Sequence, residues 1–284
     1  MDLTAQVIDA INGWLRWAAT QLLGPALSAI GGLLFATPPF DRIPEVAQLW
    51  MLVRNIADAL FVLAVIAAGV LVMASGTFES RYTAKLLVPR VALAALAANA
   101  SLLIAGALIR LENAIVLGLL GDEPGSAVAQ QLAAMLAGPA EGQFVGILVA
   151  VAAAVLGLLL VAISIGRDVV LLIATVLAPL ALATYALPQT DELARLWWRV
   201  YSALLFVQVV QAVLVLVGLE LLRHTDWLGG PVPDLVAGLV LVSVLYLLFR
   251  LPFAAYQWAF QRPFVQSAPV RTIVFAARAA LGGA

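Results

Sequence analysis

Six stretches of the chain are apolar and free of Asp, Glu, Lys and Arg over lengths close to a bilayer crossing. They lie between Asp58 and Glu79, Arg90 and Arg110, Glu141 and Arg167, Asp168 and Asp191, Arg199 and Glu220, and Asp234 and Arg250. A helix needs about 20 such residues to cross the hydrocarbon core, and an ionised side chain at mid-bilayer is costly by any scale. The pattern therefore predicts an all-α, polytopic transmembrane helix bundle of five to six spans, with amphipathic N- and C-terminal helices. A seventh window, between Arg16 and Asp41, holds Gly24, Pro25, Gly31 and Gly32, which weaken a single straight helix. Ahead of it Val7, Ile11, Leu15 and Ala18 follow helical spacing, with Asp9, Asn12 and Arg16 on another face. Residues 1–50 thus read as an interfacial N-terminal segment, 51–253 as the bundle and 254–284 as a tail. Residues 121–142 carry Asp122, Glu123, Glu141, Pro124 and Pro139 around a short helical run, Ala127 to Ala137, and read as the main extramembrane loop.

The stretch from Gly142 to Pro188 would run about 70 Å as one helix, against a core of about 30 Å. It is therefore expected to turn back near Gly166, where Arg167 and Asp168 interrupt it, and Pro179 breaks the second half. Either both halves cross as a tight hairpin, or residues 168–188 form a re-entrant segment that returns to the same side. The positive-inside rule gives ten basic residues to five for either scheme. The five-span, re-entrant scheme with an external N-terminus places Arg81, Lys85, Arg90, Arg167, Arg195, Arg199, Arg250, Arg262, Arg271 and Arg278 inside. It is preferred because six full spans would put the densest short basic loop, Arg81 to Arg90, outside.

Composition agrees with a membrane protein: the 284 residues are 64% hydrophobic and 11% charged, where a soluble domain has roughly 25% charged residues. A net charge of −1 argues against an electrostatic nucleic-acid binder. The absence of cysteine removes disulfides, thiolate metal sites and cysteine nucleophiles. Asp2 and Asp9 precede Arg16, the reverse of a signal-peptide start, so the N-terminus is expected to be retained. The tail carries Arg262, Arg271 and Arg278 and no acid, with Val270, Val274, Ala277 and Leu281 as an apolar stripe. It reads as binding an anionic lipid surface or a partner, or as a solvated basic tail.

Catalytic motifs are missing. The one lysine, Lys85, has no glycine-rich loop before it, so nucleotide is not bound through a P-loop. G-x-G-x-x-G, G-x-S-x-G and H-E-x-x-H do not occur, and the single histidine, His224, reads as a loop residue. Asp191 and Glu192 are adjacent and diverge on a helix, so they read as N-terminal residues of a helix with Thr190 as its N-cap. No catalytic, metal or cofactor site is expected, although lipid could bind.

Polar residues inside the spans carry more information. Asn99, Arg110 and Asn113 fall within about 60° of one another on a helical projection, and Tyr201, Gln208 and Gln211 form a second seam. They either line a conduit or hold the bundle together, at roughly 0.6 kcal/mol per interhelical contact. For Arg110 the simplest reading is snorkelling, and for Trp197 and Trp198 an interfacial position. Arg54 lies four residues before Asp58, close enough for a local pair. Gly142 and Gly146 make one G-x-x-x-G step.

Two blocks carry a resemblance. One comprises Arg81-Tyr-Thr-Ala-Lys85 through Pro89-Arg90, Asn99-Ala-Ser101-Leu102 and Asn113-Ala114. The other comprises Arg167-Asp168 through Ala178-Pro179-Leu180-Ala181, Leu187-Pro188, Thr190 and Trp197-Trp198. Together they resemble the TrbL-type polytopic inner-membrane proteins of conjugation and other type IV secretion systems, over residues 50–120 and 145–215. The resemblance implies a non-enzymatic subunit of a translocation channel in the cytoplasmic membrane, assembled as a homo-oligomeric ring. It also implies other secretion-system subunits and separate cytoplasmic ATPases as partners, with DNA only as cargo. The short loop 121–142 departs from members with large periplasmic domains. A small-solute secondary transporter is the alternative, suggested by Asp58, the amide seams and the break at Pro179.

Overall fold

The computed structural model describes residues 35–74, 84–121, 144–187, 190–223 and 233–260, together with the single positions Ala10, Gly13, Trp14 and Trp17. Five long helices account for nearly all of them: α1 (Pro44–Ala74), α2 (Ala84–Leu120), α3 (Phe144–Ala183), α4 (Asp191–Arg223) and α5 (Pro233–Phe260). Each contains a segment long and apolar enough to cross a membrane. The fold is all-α, as the apolar windows predict, and five is the lower of the two expected span counts.

Side-chain contacts fix the helix directions. Arg110 meets Asp41 and Trp50 meets Ser101, so α1 runs antiparallel to α2. Arg90, Ala105 and Asn113 meet Asp191, Tyr201 and Gln208, so α2 and α4 run parallel. Along α3 the corresponding partners descend, Thr175 beside Tyr201 and Arg167 beside Gln208, so α3 runs opposite to α4. The buried face of α2 is Ala94, Ala98, Ser101, Ala105, Ile109, Glu112 and Val116, spaced three or four residues apart. Its small side chains let neighbouring backbones approach. Among the described side chains of α1 the buried ones form a narrow stripe, Val46, Trp50, Ala57 and Phe61. Leu49, Leu52, Ile56, Val62 and Ile66 point outward, as a lipid-facing surface requires.

Two apolar layers are separated by a polar one. The first contains Val116, Leu160, Val215 and Leu245; the second contains Ala105, Leu171, Trp197 and Leu204. Between them in the order of each helix lie Glu112 and Asn113 on α2, Ser164, Arg167 and Asp168 on α3, and Gln208 and Gln211 on α4. A non-helical strap, residues 36–39, runs through this level and leads into a single 3-10 turn, Phe40–Arg42. Phe35 is buried in the first apolar layer, Phe40 in the second and Thr37 between them.

Three sequence expectations change. The turn near Gly166 does not form: α3 continues for 40 residues, about 60 Å, from Phe144 to Ala183. The expected re-entrant segment 168–188 is thus not formed over its described residues: 168–183 complete α3 and the chain passes through a 3-10 turn at Thr184–Ala186. The physical reason is that Arg167 and Asp168 have partners inside the bundle, so a charge in this apolar run does not have to reach water. The excess length is accommodated by tilt or by extension beyond the hydrocarbon. The boundary at residue 50 also moves, because α1 begins at Pro44, a residue suited to the first helical position, and Phe35, Thr37 and Phe40 before it are buried. Thr190 does not act as an acceptor cap; its hydroxyl donates to the carbonyls of Thr184 and Leu187. The loop 122–142, His224 and the tail with Arg262, Arg271 and Arg278 lie outside the described residues, as does nearly all of the segment before residue 35.

Candidate functional site: a buried polar layer

A non-helical backbone inside a membrane bundle needs partners, since neither lipid nor a regular ladder satisfies it. Asn113 supplies two to the strap: its Nδ2 donates to the Thr37 carbonyl at 2.8 Å, and its Oδ1 accepts from the Thr37 N–H at 3.0 Å. The Thr37 hydroxyl donates to Gln208 Oε1 at 2.6 Å and accepts from Arg167 Nη2 at 2.8 Å. That same Nη2 donates to Gln208 Oε1 at 2.5 Å, so one guanidinium, one amide and one hydroxyl form a closed triangle.

Arg167 is 3% exposed. Its Nε and Nη2 reach back to Asp168 Oδ1 at 3.2 and 2.8 Å, a contact between helix neighbours that only a long side chain can make. On its other side lies Glu112, 4% exposed, with Oε1 at 3.7 Å from Arg167 Nη1. That distance is too long for a hydrogen bond. Both Glu112 oxygens and Nη1 have no hydrogen-bond partner. The layer thus holds two carboxylates and one guanidinium, and the guanidinium is committed to Asp168, Thr37 and Gln208.

Pairings outside the layer explain the remaining polar residues. Arg110 binds Asp41 at 2.5 Å, tying the 3-10 turn to α2. Gly106 allows this, because a Cβ there would collide with the Asp41 carboxylate. Asn99 donates to Asp58 at 3.3 Å and to the Ala95 carbonyl, and Arg54 pairs with Asp58 at 3.6 Å while lying over the Trp50 ring. Arg90 stacks on Tyr185, donates to its carbonyl at 2.8 Å and binds Asp191, clasping the start of α2 to the α3–α4 turn. Tyr201 Oη lies 3.3 Å from Thr175 Oγ1, and Trp197 Nε1 donates to the Ala174 carbonyl at 2.8 Å. Trp197 is buried against the Tyr201 ring and Trp198 is exposed, so only the second occupies an outward position.

Gln211 answers a proline. Pro252 has no N–H for the carbonyl four residues earlier in α5, that of Leu248. Gln211 Nε2 donates to that carbonyl at 3.3 Å. Pro179 is buried within the last turns of α3.

The structure brings Asn113, Gln208, Arg167 and Asp168 into one layer but places Asn99, Arg110, Tyr201, Gln211 and Pro179 in separate contacts. The fully buried amides are bonded within the chain, as interhelical ties are. Sequence reasoning missed Thr37, Glu112 and the Arg90 clasp. Glu112 had a signal: it continues the spacing of Ala98, Ser101, Ala105 and Ile109 on one face of α2. Thr37 had none, because its role depends on a strap folding back onto three distant helices. Among the described residues, no group of three or more His, Cys, Asp or Glu side chains is placed to hold a metal ion.

A family model described as TrbL/VirB6 plasmid conjugal transfer like protein matches residues 1–284. No curated protein and no solved structure matches the chain.

Proposed function

The chain belongs to the TrbL/VirB6 plasmid conjugal transfer family, and from that premise we propose that it is a non-enzymatic channel or scaffold subunit at the cytoplasmic membrane. It is a multi-pass membrane protein and a subunit of a conjugal transfer apparatus. In the proposed role, copies assemble as a ring, DNA or protein passes as cargo, and separate cytoplasmic ATPases supply the energy. The family match over the whole chain carries this reading. The closed polar layer supports the ring: Arg167 and Gln208 are consumed by contacts within one chain and Glu112 is buried beside them, which favours a passage built between copies rather than through one. The missing P-loop supports dependence on partner ATPases.

The test is DNA-transfer frequency between cells of the source organism, comparing an in-frame deletion with the complemented strain. Loss of transfer with normal growth, restored by complementation, is expected. Unchanged transfer with a solute-specific uptake defect would favour the second reading, a small-solute secondary transporter. That reading draws on the non-helical strap beside buried charges, the arrangement found where transporter helices are interrupted.

A further inference from the structure

We propose that Glu112 is a reversible proton-binding site that controls how the Thr37 strap is held in the bundle. Three observations lead there. The Glu112 side chain is 3% exposed and neither carboxylate oxygen has a hydrogen-bond partner, so an ionised carboxylate in this position is desolvated with only the Arg167 guanidinium, at 3.7 Å, to offset the cost. The nearest cation, Arg167, is engaged by Asp168, Thr37 and Gln208, which leaves the layer one negative charge in excess when both acids are ionised. Arg167 Nη1 nevertheless has no hydrogen-bond partner and lies 3.7 Å from Glu112, so a small swing would bring the two into hydrogen-bonding contact.

These define two arrangements. With a proton from bulk water bound to one Glu112 oxygen, the carboxyl is neutral and Arg167 stays on Asp168, Thr37 and Gln208, as observed. When the proton returns to bulk water, the carboxylate attracts the guanidinium, and a two-point Arg–carboxylate pair forms in its preferred geometry. Arg167 Nη2 then leaves the Thr37 hydroxyl and Gln208 Oε1, and the strap loses part of its anchor. The groups around the switch are Asp41 and Thr37 on the strap side, Arg110 and Asn113 on α2, Asp168 on α3 and Gln208 and Tyr201 on α4. Asp41 is already paired with Arg110, and Tyr256 of α5 lies within electrostatic range of Arg167. The guanidinium beside Glu112 disfavours a metal cation there, since two positive charges would share one carboxylate.

The experiment uses the full chain in lipid nanodiscs. Because the chain has no cysteine, Ala36→Cys accepts a single spin label on an exposed position of the strap. Infrared titration should show a buried carboxylic-acid band that is lost in Glu112→Gln. The label should be ordered at low pH and mobile at high pH in the otherwise native chain, ordered at both in Glu112→Gln, and again pH-dependent in Glu112→Asp. A label indifferent to pH in the native background overturns the proposal, whether or not the glutamine variant folds. So does a pH transition, or an acid band, that survives unchanged in Glu112→Gln. Neither readout depends on DNA transfer, so failure here and failure of the channel reading are distinguishable.

Discussion

Asn113→Ala tests whether the strap is held by the amide that pairs with its backbone. The substitution removes the partners of the Thr37 N–H and carbonyl, at 3.0 and 2.8 Å, and leaves both facing a protein interior. Each unsatisfied buried group costs about 1–3 kcal/mol. Interhelical side-chain bonds in membranes are worth only about 0.6 kcal/mol on average, because helix backbones are already satisfied and side chains find other partners. Thr37 differs, since its backbone lies outside any helix and Asn113 supplies both partners. The lower bound, about 2 kcal/mol, is therefore the working figure. The loss is limited by undocking of the strap, which would expose Phe35 and Phe40, now 2% and 5% exposed. Hydrogen exchange in nanodiscs should show amides of residues 35–43 exchanging about 30-fold faster in Asn113→Ala, the equivalent of 2 kcal/mol at about 1.4 kcal/mol per tenfold. Peptides from α4 should stay close to native rates. Asn99→Ala, which removes one long bond to Asp58 and one to its own helix, should leave the strap unaffected. Strap protection within threefold of native, or an equal rise across α4, would refute the reasoning: the first would mean that Asn113 is not the anchor, the second that the whole bundle had loosened.

Other substitutions separate packing from polar pairing. Gly106→Ala drives a methyl group into the Asp41 carboxylate and should lower the detergent melting temperature by several degrees. Gly118→Ala meets open space, so its gain in helix propensity should leave stability unchanged or slightly raised. Arg167→Leu strands Asp168, Thr37 and Gln208 and should cost about 3–5 kcal/mol, whereas Arg278→Leu should leave folding untouched; equal yields of folded protein would count against this. Gln211→Leu should destabilise the native chain by about 1–3 kcal/mol through the orphaned Leu248 carbonyl, and much less in a Pro252→Ala background, where α5 regains its own N–H. A double-mutant cycle on thermal stability measures that coupling, and a coupling of zero would break the link between the glutamine and the proline.

The bundle was legible because the hydrocarbon core imposes a strong rule: charge-free runs of sufficient length become helices, and α2 to α5 fall on those runs, α3 taking two of them, whereas the candidate span of α1, Pro44–Leu63, lies mostly ahead of the run that opens after Asp58. The same rule misled at Gly166. A charge marks the end of a span only when it must reach water, and one-dimensional reading cannot see whether a partner waits on another helix. Arg167 finds Thr37 in a strap 130 residues earlier and Gln208 on α4, besides its own neighbour Asp168. The pair Arg54–Asp58 was visible because it is local, four residues apart on one helix. Asn113 and Gln208 were visible as polar residues within spans, but their common target was not, since nothing in the run Phe35–Ala36–Thr37–Pro38–Pro39 signals insertion between helices.

The strap also changes how the prolines are read. Pro38 and Pro39 stop a helix from forming through this segment, so α1 starts at Pro44, at a level where α2 and α4 are already packed. An uninterrupted helix would satisfy its own backbone and leave no reason for Asn113, Gln208 and Arg167 to converge. The break creates a need for hydrogen bonds at one depth, and the polar layer answers it there. An intramembrane guanidinium so placed answers two needs at once, anchoring the strap and neutralising Asp168, which leaves Glu112 as the acid of the polar layer without a hydrogen-bonded cation.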